Sequence, residues 1–119
     1  MKTLNYRTPW GNIEKVAFVV DQYAMKKRLF VGMYCWDDVW KCWEPYVDIT
    51  VNLPDDFLIS KTGAFIDTNN LSNICTFLIE NGLAKPANNS AFSGFCCYPE
   101  YEFNMEKLNE YILKEESAG

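Results

Sequence analysis

The chain contains no histidine among its 119 residues. Histidine is the usual general base near neutral pH, and its absence excludes Ser-His-Asp and Cys-His catalysis. A zinc site would then need four cysteines, and Cys35, Cys42, Cys96 and Cys97 lack the paired spacing of known zinc ligands. We therefore expect no bound metal, no cofactor and no enzymatic activity.

Long apolar runs are also missing. No segment approaches the ~18 consecutive apolar residues of a membrane span. The first ten residues, MKTLNYRTPW, carry charge but lack the apolar core of a signal peptide. The default expectation is a cytoplasmic protein without a membrane partner. In that compartment the cysteines, which also include Cys75, are expected to be reduced thiols packed as small hydrophobic residues.

Positive charge is scarce. The chain has 11 basic and 16 acidic residues, a net charge of −5 and a pI near 4.6. Direct nucleic-acid binding is disfavoured, because it needs a positive surface. The cluster Lys26-Lys27-Arg28 is interpreted as a solvated hairpin tip, and no glycine-rich phosphate motif is present.

What the chain does have is enough apolar sequence for a core. Apolar residues make up 49% and aromatic residues 16% of the chain, and its length predicts a single domain over residues 1–119. Alternating apolar residues separated by turns predict an α+β fold. We expect one antiparallel sheet of about five or six strands, meander-like or half-closed into a barrel, with two helices packed on it.

The predicted strands are Lys2–Thr8, Ile13–Tyr23, Leu29–Trp36, Val39–Tyr46, Val47–Leu53, Ala64–Ile66 and Gly94–Phe103. In Val47–Leu53, the odd-numbered residues are predicted to face the core and the even-numbered ones to face solvent. Pro99 predicts that Gly94–Phe103 is an edge or interrupted strand, because proline cannot donate to a ladder. The polar segment Ala87–Ser93 is predicted to be a surface loop.

Two helices are predicted from apolar spacing. The first covers Leu71–Asn81 and ends at Gly82. The second follows Asn104, a favourable N-cap. Four polar residues precede the first helix, and we predict that their side chains cap it and bind no ligand: Asp67, Thr68, Asn69 and Asn70.

Tryptophans provide the strongest interaction signal. Trp36, Trp40 and Trp43 lie within eight residues around a predicted hairpin, with Tyr34 close by. Aromatic residues dominate both cores and binding hot spots. In a small domain one or two of the three belong to the core. At least one exposed ring, with a rim of nearby acidic residues, is predicted to form a site for a protein partner.

Cys96 and Cys97 are a second candidate site. Adjacent residues of a strand point to opposite faces, so one thiol should be buried and the other exposed. Nothing in the sequence supplies a base or a depressed pKa, and packing is therefore the favoured interpretation.

Four segments occur in an order and spacing that resemble a known family: TVNL (50–53), FIDTNN (65–70), ENGL (80–83) and SGFC (93–96). The resemblance covers roughly Leu4 to Tyr111 and is to the small bacterial proteins known as domain of unknown function 4313. Members often have small polar residues where this chain has Trp36 to Trp43. The resemblance implies a bacterial, cytosolic protein associated with mobile genetic elements. It implies no activity and no functional residues.

Three functions remain open on this sequence. The first is a non-enzymatic binding or accessory protein of a mobile element. The second is an acidic mimic of nucleic acid that blocks a restriction or defence nuclease, motivated by the net charge of −5. The third is an enzyme that uses Cys96 or Cys97, which would need a cation or a helix N-terminus beside the thiol.

Overall fold

The structure is a computed structural model, and it describes residues 2–23, 28–53, 61–69, 72–93 and 96–113. Within these ranges the chain forms strands and two short helices, which confirms the predicted α+β class. In chain order they are β1 (Leu4–Arg7), β2 (Ile13–Gln22), β3 (Leu29–Asp37), β4 (Cys42–Asp48), β5 (Thr50–Val51), β6 (Gly63–Ile66), α1 (Ile74–Glu80), β7 (Ala84–Ser93), β8 (Cys96–Phe103) and α2 (Met105–Asn109).

The strands are antiparallel, as predicted, but they form two open four-stranded sheets instead of one. The first sheet is a meander with the order β1-β2-β3-β4, and the second has the order β5-β6-β8-β7. The chain passes between them at Ile49. The N–H of Ile49 donates to the carbonyl of Val31 in β3, and its carbonyl accepts from the N–H of Asp67 after β6.

This crossing breaks the alternation predicted for Val47–Leu53. Ile49 is buried as expected, but Thr50 is buried as well, and its hydroxyl accepts a hydrogen bond from the N–H of Val31 at 3.1 Å. Val51 and Leu53 pack in a second, smaller cluster with Phe65. A segment that belongs to two sheets buries side chains from both of its faces, so its polar threonine needs the backbone bond that it makes.

The segment Ala87–Ser93, predicted to be a loop, belongs to the ten-residue edge strand β7. Its register with β8 runs from Ala84 opposite Phe103 to Ser93 opposite Cys96, with an irregularity between Pro86 and Ser90. An edge strand leaves one row of backbone groups to solvent, so it tolerates the polar composition that suggested a loop, and it also tolerates Pro86.

Of the two alternatives predicted for β8, an edge strand or an interrupted one, the edge position is wrong, because β8 lies between β6 and β7. Pro99 is tolerated there for a local reason. The ladder to β6 covers only Glu100 to Glu102, and Pro99 lies beyond it, opposite Ser90 and next to the irregularity of β7. The missing N–H therefore costs no bond to β6.

One large core cluster takes side chains from both sheets and both helices, including Phe18, Met33, Ile66, Leu78 and Leu108. The last described residues extend the first sheet: the N–H of Phe18 donates to Tyr111, and its carbonyl accepts from Leu113. In the described parts of the chain, no helix has the length and apolar character needed to cross a membrane.

The second predicted helix cap is confirmed and the first is wrong. Asn104 caps α2 by accepting from the N–H of Lys107 at 3.2 Å. Helix α1 begins only at Ile74, and its N-cap residue, Asn73, makes no capping bond with its side chain.

The polar turn before α1 is held by hydrogen bonds within the turn and by one hydrogen bond to β8. The Asp67 carboxylate accepts from the N–H of Asn69 at 3.2 Å, and the N–H of Thr68 donates to Ile66. The side-chain amide of Asn69 donates to the hydroxyl of Tyr98 in β8. A further turn at Ser72 and Asn73 separates these residues from the helix. Asn70 lies outside the described residues.

Candidate functional site

The hairpin of β3 and β4 brings two of the predicted tryptophans into contact. Trp36 and Trp43 are cross-strand partners, and their half-buried rings meet edge to face with centroids 5.5 Å apart. The ammonium of Lys15 lies 5.8 Å from the centroid of the Trp36 ring, within cation–π range. The indole N–H of Trp36 donates to Asp38 at 3.0 Å. These contacts fix the orientation of the Trp36 ring.

The turn of this hairpin is held by an acidic side chain. One carboxylate oxygen of Asp37 accepts from the N–H groups of Val39 at 2.8 Å and Trp40 at 3.1 Å. Lys41 closes the turn with a φ of 54°, a left-handed conformation that is uncommon for a side-chain-bearing residue. As a result, Val39 is held 83% exposed and Trp40 76% exposed.

Two more exposed apolar residues lie at the same end of the first sheet. Val16 pairs with Cys35, so the start of β2 lies beside the end of β3, and the turns before β2 and after β3 are neighbours in space. Trp10 in the first turn is 72% exposed, and Ile13 is 60% exposed. We call the group of Trp10, Ile13, Trp36, Val39, Trp40 and Trp43 the apolar end of the first sheet.

Clustering distinguishes the apolar end from ordinary exposed apolar residues. Five large apolar side chains of the described chain are strongly exposed, and four of them belong to the apolar end; the fifth is Ile79 in α1. Single exposed apolar residues are common on soluble proteins, whereas contiguous ones mark interaction sites. The sequence reasoning missed Trp10 and Ile13. Their signal was present, since a tryptophan inside the turn PWGN has no strand neighbour to cover it.

Tyr34 lies farther than the three tryptophans from the turn that connects β3 and β4. It pairs with Pro45 and is half-buried, two residues before Trp36 and therefore on the same face of the sheet. Tyr34, Trp36 and Trp43 thus share one face, while Trp40 occupies the turn. That these residues bind a partner remains a prediction.

The opposite face of the hairpin is acidic. Burial raises the pKa of the Cys35 thiol, and the nearby carboxylates of Glu14, Glu44 and Asp37 raise it further, because they disfavour a thiolate beside them. Cys35 is therefore a protonated, unreactive thiol near neutral pH. The acidic residues predicted to surround the exposed tryptophan therefore lie in two places. Glu44 lies near Cys35. Asp37 and Asp38 lie at the turn, where they accept hydrogen bonds from backbone and indole N–H groups.

Of the adjacent cysteines of β8, Cys97 is exposed, as predicted for one of the two, but Cys96 is half-buried and not buried in the core. The Cys96 thiol is hydrogen-bonded to the hydroxyl of Tyr98, and burial together with this bond raises the pKa of Tyr98. In the part of the chain that the structure describes, the Cys96 thiol has this contact with Tyr98 and none with a lysine or arginine. The cysteine-enzyme hypothesis therefore stays a hypothesis for both Cys96 and Cys97.

The four cysteines considered for zinc are distributed over both sheets. Cys35 and Cys42 lie on neighbouring strands of the first sheet, and Cys96 and Cys97 lie on β8 of the second. Across the described ranges, no group of three or more cysteine or acidic side chains is placed to hold a metal ion.

The basic cluster is not wholly a solvated hairpin tip. Arg28 is only 8% exposed, and its guanidinium donates to the carbonyl of Leu53 at 2.9 Å. This buried bond anchors the start of β3 to the end of the segment that follows β5. Lys26 and Lys27 lie outside the described residues.

Several acidic residues are bonded within the fold, which weakens the nucleic-acid-mimic hypothesis. Glu100 is 7% exposed and accepts from the side chain of Asn89 at 3.1 Å. Glu110 pairs with Lys2 at 2.9 Å and with Lys107 at 3.9 Å. A mimic needs a continuous row of carboxylates that are free to imitate phosphates. The carboxylates of Glu100 and Glu110 are instead bonded to other side chains of the fold.

Comparison with known proteins gives one match. No curated protein and no solved structure matches the chain. The family model described as "Domain of unknown function (DUF4313)" matches residues 17–116. That range contains β3 to β8 and both helices, together with the Trp36–Trp43 hairpin and the signature segments identified in the sequence. The chain therefore belongs to the DUF4313 family.

Proposed function

We propose that this protein is a non-catalytic binding protein that holds a protein partner through the apolar end of its first sheet. The observation that carries the proposal is the clustering of four residues that are each at least 60% exposed. They lie on two neighbouring turns and the first position of β2: Trp10, Ile13, Val39 and Trp40. Tryptophans that are exposed before binding and buried after it provide the largest share of binding energy in many interfaces.

The geometry of the turn supports the proposal independently of exposure. Asp37 fixes the backbone on both sides of Val39, and the Trp36–Trp43 pair supports the strands beneath it. Because its backbone is already fixed, the apolar end loses little conformational entropy when it binds a partner. Most of the area that it buries therefore contributes to affinity.

A non-catalytic role is proposed because no histidine is available and because the half-buried Cys96 thiol contacts Tyr98 and, among the described residues, no lysine or arginine. The family resemblance supports a finer proposal, an accessory protein of a bacterial mobile genetic element that acts in the cytoplasm. The genes neighbouring those of family members test this: a consistent absence of mobile-element genes would remove it.

The test is affinity capture from a bacterial lysate with three forms of the immobilised protein: wild type, Trp40→Ala and Ile79→Ala. Ile79 is a matched control, since it is 48% exposed but lies on α1, away from the apolar end. We expect partners that are retained by the control and lost with Trp40→Ala, with affinity reduced roughly 30-fold for a hot-spot tryptophan.

Because Trp40 is exposed, its replacement should leave the melting temperature nearly unchanged. The proposal is contradicted if the wild-type and Trp40→Ala proteins capture the same partners with the same affinity. It is also contradicted if capture is lost equally in the Ile79→Ala control.

A further inference from the structure

The free edge of β1 differs from the other sheet edges in the described chain. The β4 edge contains Pro45 and a register shift in its ladder to β3. The β7 edge contains Pro86 and an irregularity, and β5 is only two residues long. Prolines, bulges and short length are the features that protect edges from pairing with other chains. The ladder of β1 is unbroken and contains no proline.

The backbone groups of β1 that face outward follow from the register. The N–H of Thr8 donates to the carbonyl of Asn12, so bonded pairs occur at the even positions of β1. The N–H and C=O of Asn5 and Arg7 therefore point away from β2. The side-chain amide of Asn73 confirms this direction, since it donates to the carbonyl of Arg7 at 2.8 Å. Among the described residues, neither the outward N–H nor the outward C=O of Asn5 has a hydrogen-bond partner.

A cleft of about 530 Å³ lies beside this edge, between β1 and helix α1. Asn5, Tyr6 and Arg7 form one wall, and Asn73, Thr76 and Glu80 are among the residues of the other. The ring of Tyr6 meets Phe77 edge to face, with centroids 4.9 Å apart, and its hydroxyl donates to Asn73. The base of the cleft is therefore rigid, and its size falls in the range of known ligand sites.

The rim of the cleft has unused polar groups on the helix side. Thr76 and Glu80 are one helical turn apart and exposed. For neither side chain does the described structure record a hydrogen bond or an ion pair. An incoming chain thus finds the backbone N–H and C=O of Asn5 on β1 and the carboxylate of Glu80 on α1.

We propose that this cleft binds an extended peptide segment that adds to β1 as a further strand of the first sheet and places a lysine or arginine beside Glu80. The available N–H and C=O of Asn5 supply the backbone pairing, and the unpaired Glu80 supplies charge complementarity. Strand addition to an open edge is a common mode of peptide recognition. The site lies on the opposite edge of the first sheet from β4. It shares no lining residue with the apolar end, although Arg7 of the cleft pairs with Ile13.

The probe is a library of linear hexapeptides with blocked termini, tested by fluorescence anisotropy against Asn5→Pro and its control Asn5→Ala. Proline removes the outward N–H and leaves the β1–β2 ladder intact, because that ladder does not use it. Alanine keeps the N–H. We expect selected peptides to bind wild type and Asn5→Ala with similar affinity and Asn5→Pro at least about tenfold more weakly.

Two further measurements make the outcome independent of how well the proline variant folds. N-methylation of successive peptide amides should abolish binding at alternate positions only, which is the signature of strand pairing. Glu80→Lys should weaken binding of basic peptides but not of versions with glutamine in place of the basic residue.

Failure of this proposal can be distinguished from failure of the proposed function, because Trp40→Ala should leave peptide binding unchanged. The inference is overturned if no peptide is selected or if Asn5→Pro, once shown to be folded, binds as well as Asn5→Ala. A methylation profile without alternation, or indifference to Glu80→Lys, would overturn it as well.

Discussion

Replacing Asn73 with alanine is expected to cost about 2 kcal/mol of unfolding free energy, although this residue makes no helix-capping bond. Its side chain connects β1 to α1 through two bonds: its amide donates to the carbonyl of Arg7 at 2.8 Å, and its carbonyl accepts from the hydroxyl of Tyr6. Tyr6 is fully buried. A buried hydroxyl left without a partner costs about 1–3 kcal/mol.

The carbonyl of Arg7 contributes less, because Arg7 is exposed and water can replace the lost amide. Tyr6→Phe should cost about 1 kcal/mol, since it removes the hydroxyl and leaves only the half-buried Asn73 carbonyl to be hydrated. The double variant lacks the orphaned hydroxyl. We therefore expect it to cost about 1 kcal/mol, less than the sum of the single changes, with a coupling energy of about 2 kcal/mol.

The assay is urea unfolding of the four proteins, with thermal melts as a second measure. For a chain of 119 residues, 1 kcal/mol corresponds to roughly 3–5 °C, so Asn73→Ala should lower the melting temperature by roughly 8 °C. Asn5→Ala is a matched control, an exposed asparagine on the same cleft, and should change stability by less than ~0.5 kcal/mol. Strictly additive costs, or an Asn73→Ala protein as stable as the control, would refute the bridging role.

Two other predictions follow from the titration of buried groups. Burial raises the pKa of Tyr6 and of Tyr101 to about 12, whereas an unfolded tyrosine titrates near 10. The unfolded state therefore loses these protons first, and stability should fall as pH rises from about 10 to 12; a Tyr6→Phe protein that falls as steeply as wild type would contradict this for Tyr6. For the cysteines, N-ethylmaleimide at neutral pH should modify the exposed Cys42 and Cys97 before Cys35, whose pKa is raised by burial and nearby carboxylates. Early modification of Cys35, read by mass spectrometry of the digested protein, would be the contrary result.

The first three strands could be predicted from the sequence because β1 alternates apolar and polar residues, β2 contains the apolar stripe Val16, Phe18 and Val20, and β3 is rich in aromatic and β-branched residues. Predicted Lys2–Thr8, Ile13–Tyr23 and Leu29–Trp36 correspond closely to β1, β2 and β3. The hairpin turn after β3 was also predictable, because Asp37 and Asp38 favour reversals. The exposure of Trp40 relative to Trp36 and Trp43 was not, because period-two alternation ends at the turn and side-chain direction there depends on the bonds of Asp37.

The second sheet was harder to predict because its pairing is not sequential. Strand β8 pairs with β6 on one side and with β7 on the other, although β7 lies between them in sequence. The central position of β8 depends on its pairing with β6, and no residue near Pro99 indicates in the sequence that β6 will pair there. The polar composition of β7 likewise indicates only that one side is solvated, a property shared by loops and edge strands.

The turn of Asp67, Thr68 and Asn69 shows the limit of predicting helix caps from residue type. The residue types correctly indicate side chains that accept backbone hydrogen bonds, but they do not indicate which backbone groups these side chains will bond. These residue types are favoured wherever backbone N–H groups lack partners, and helix starts are only one such place. Here Asp67 bonds the N–H of Asn69 within the turn, and the Asn69 amide reaches Tyr98, which is 29 residues away in sequence. Tyr98 in turn contacts the thiol of Cys96. Two of the segments that characterise the family, residues 65–70 and 93–96, are thus connected through one tyrosine. The side chains of Asp67 and Asn69 are therefore engaged in bonds within the turn and to β8, and the N-cap position of α1 belongs to Asn73 instead.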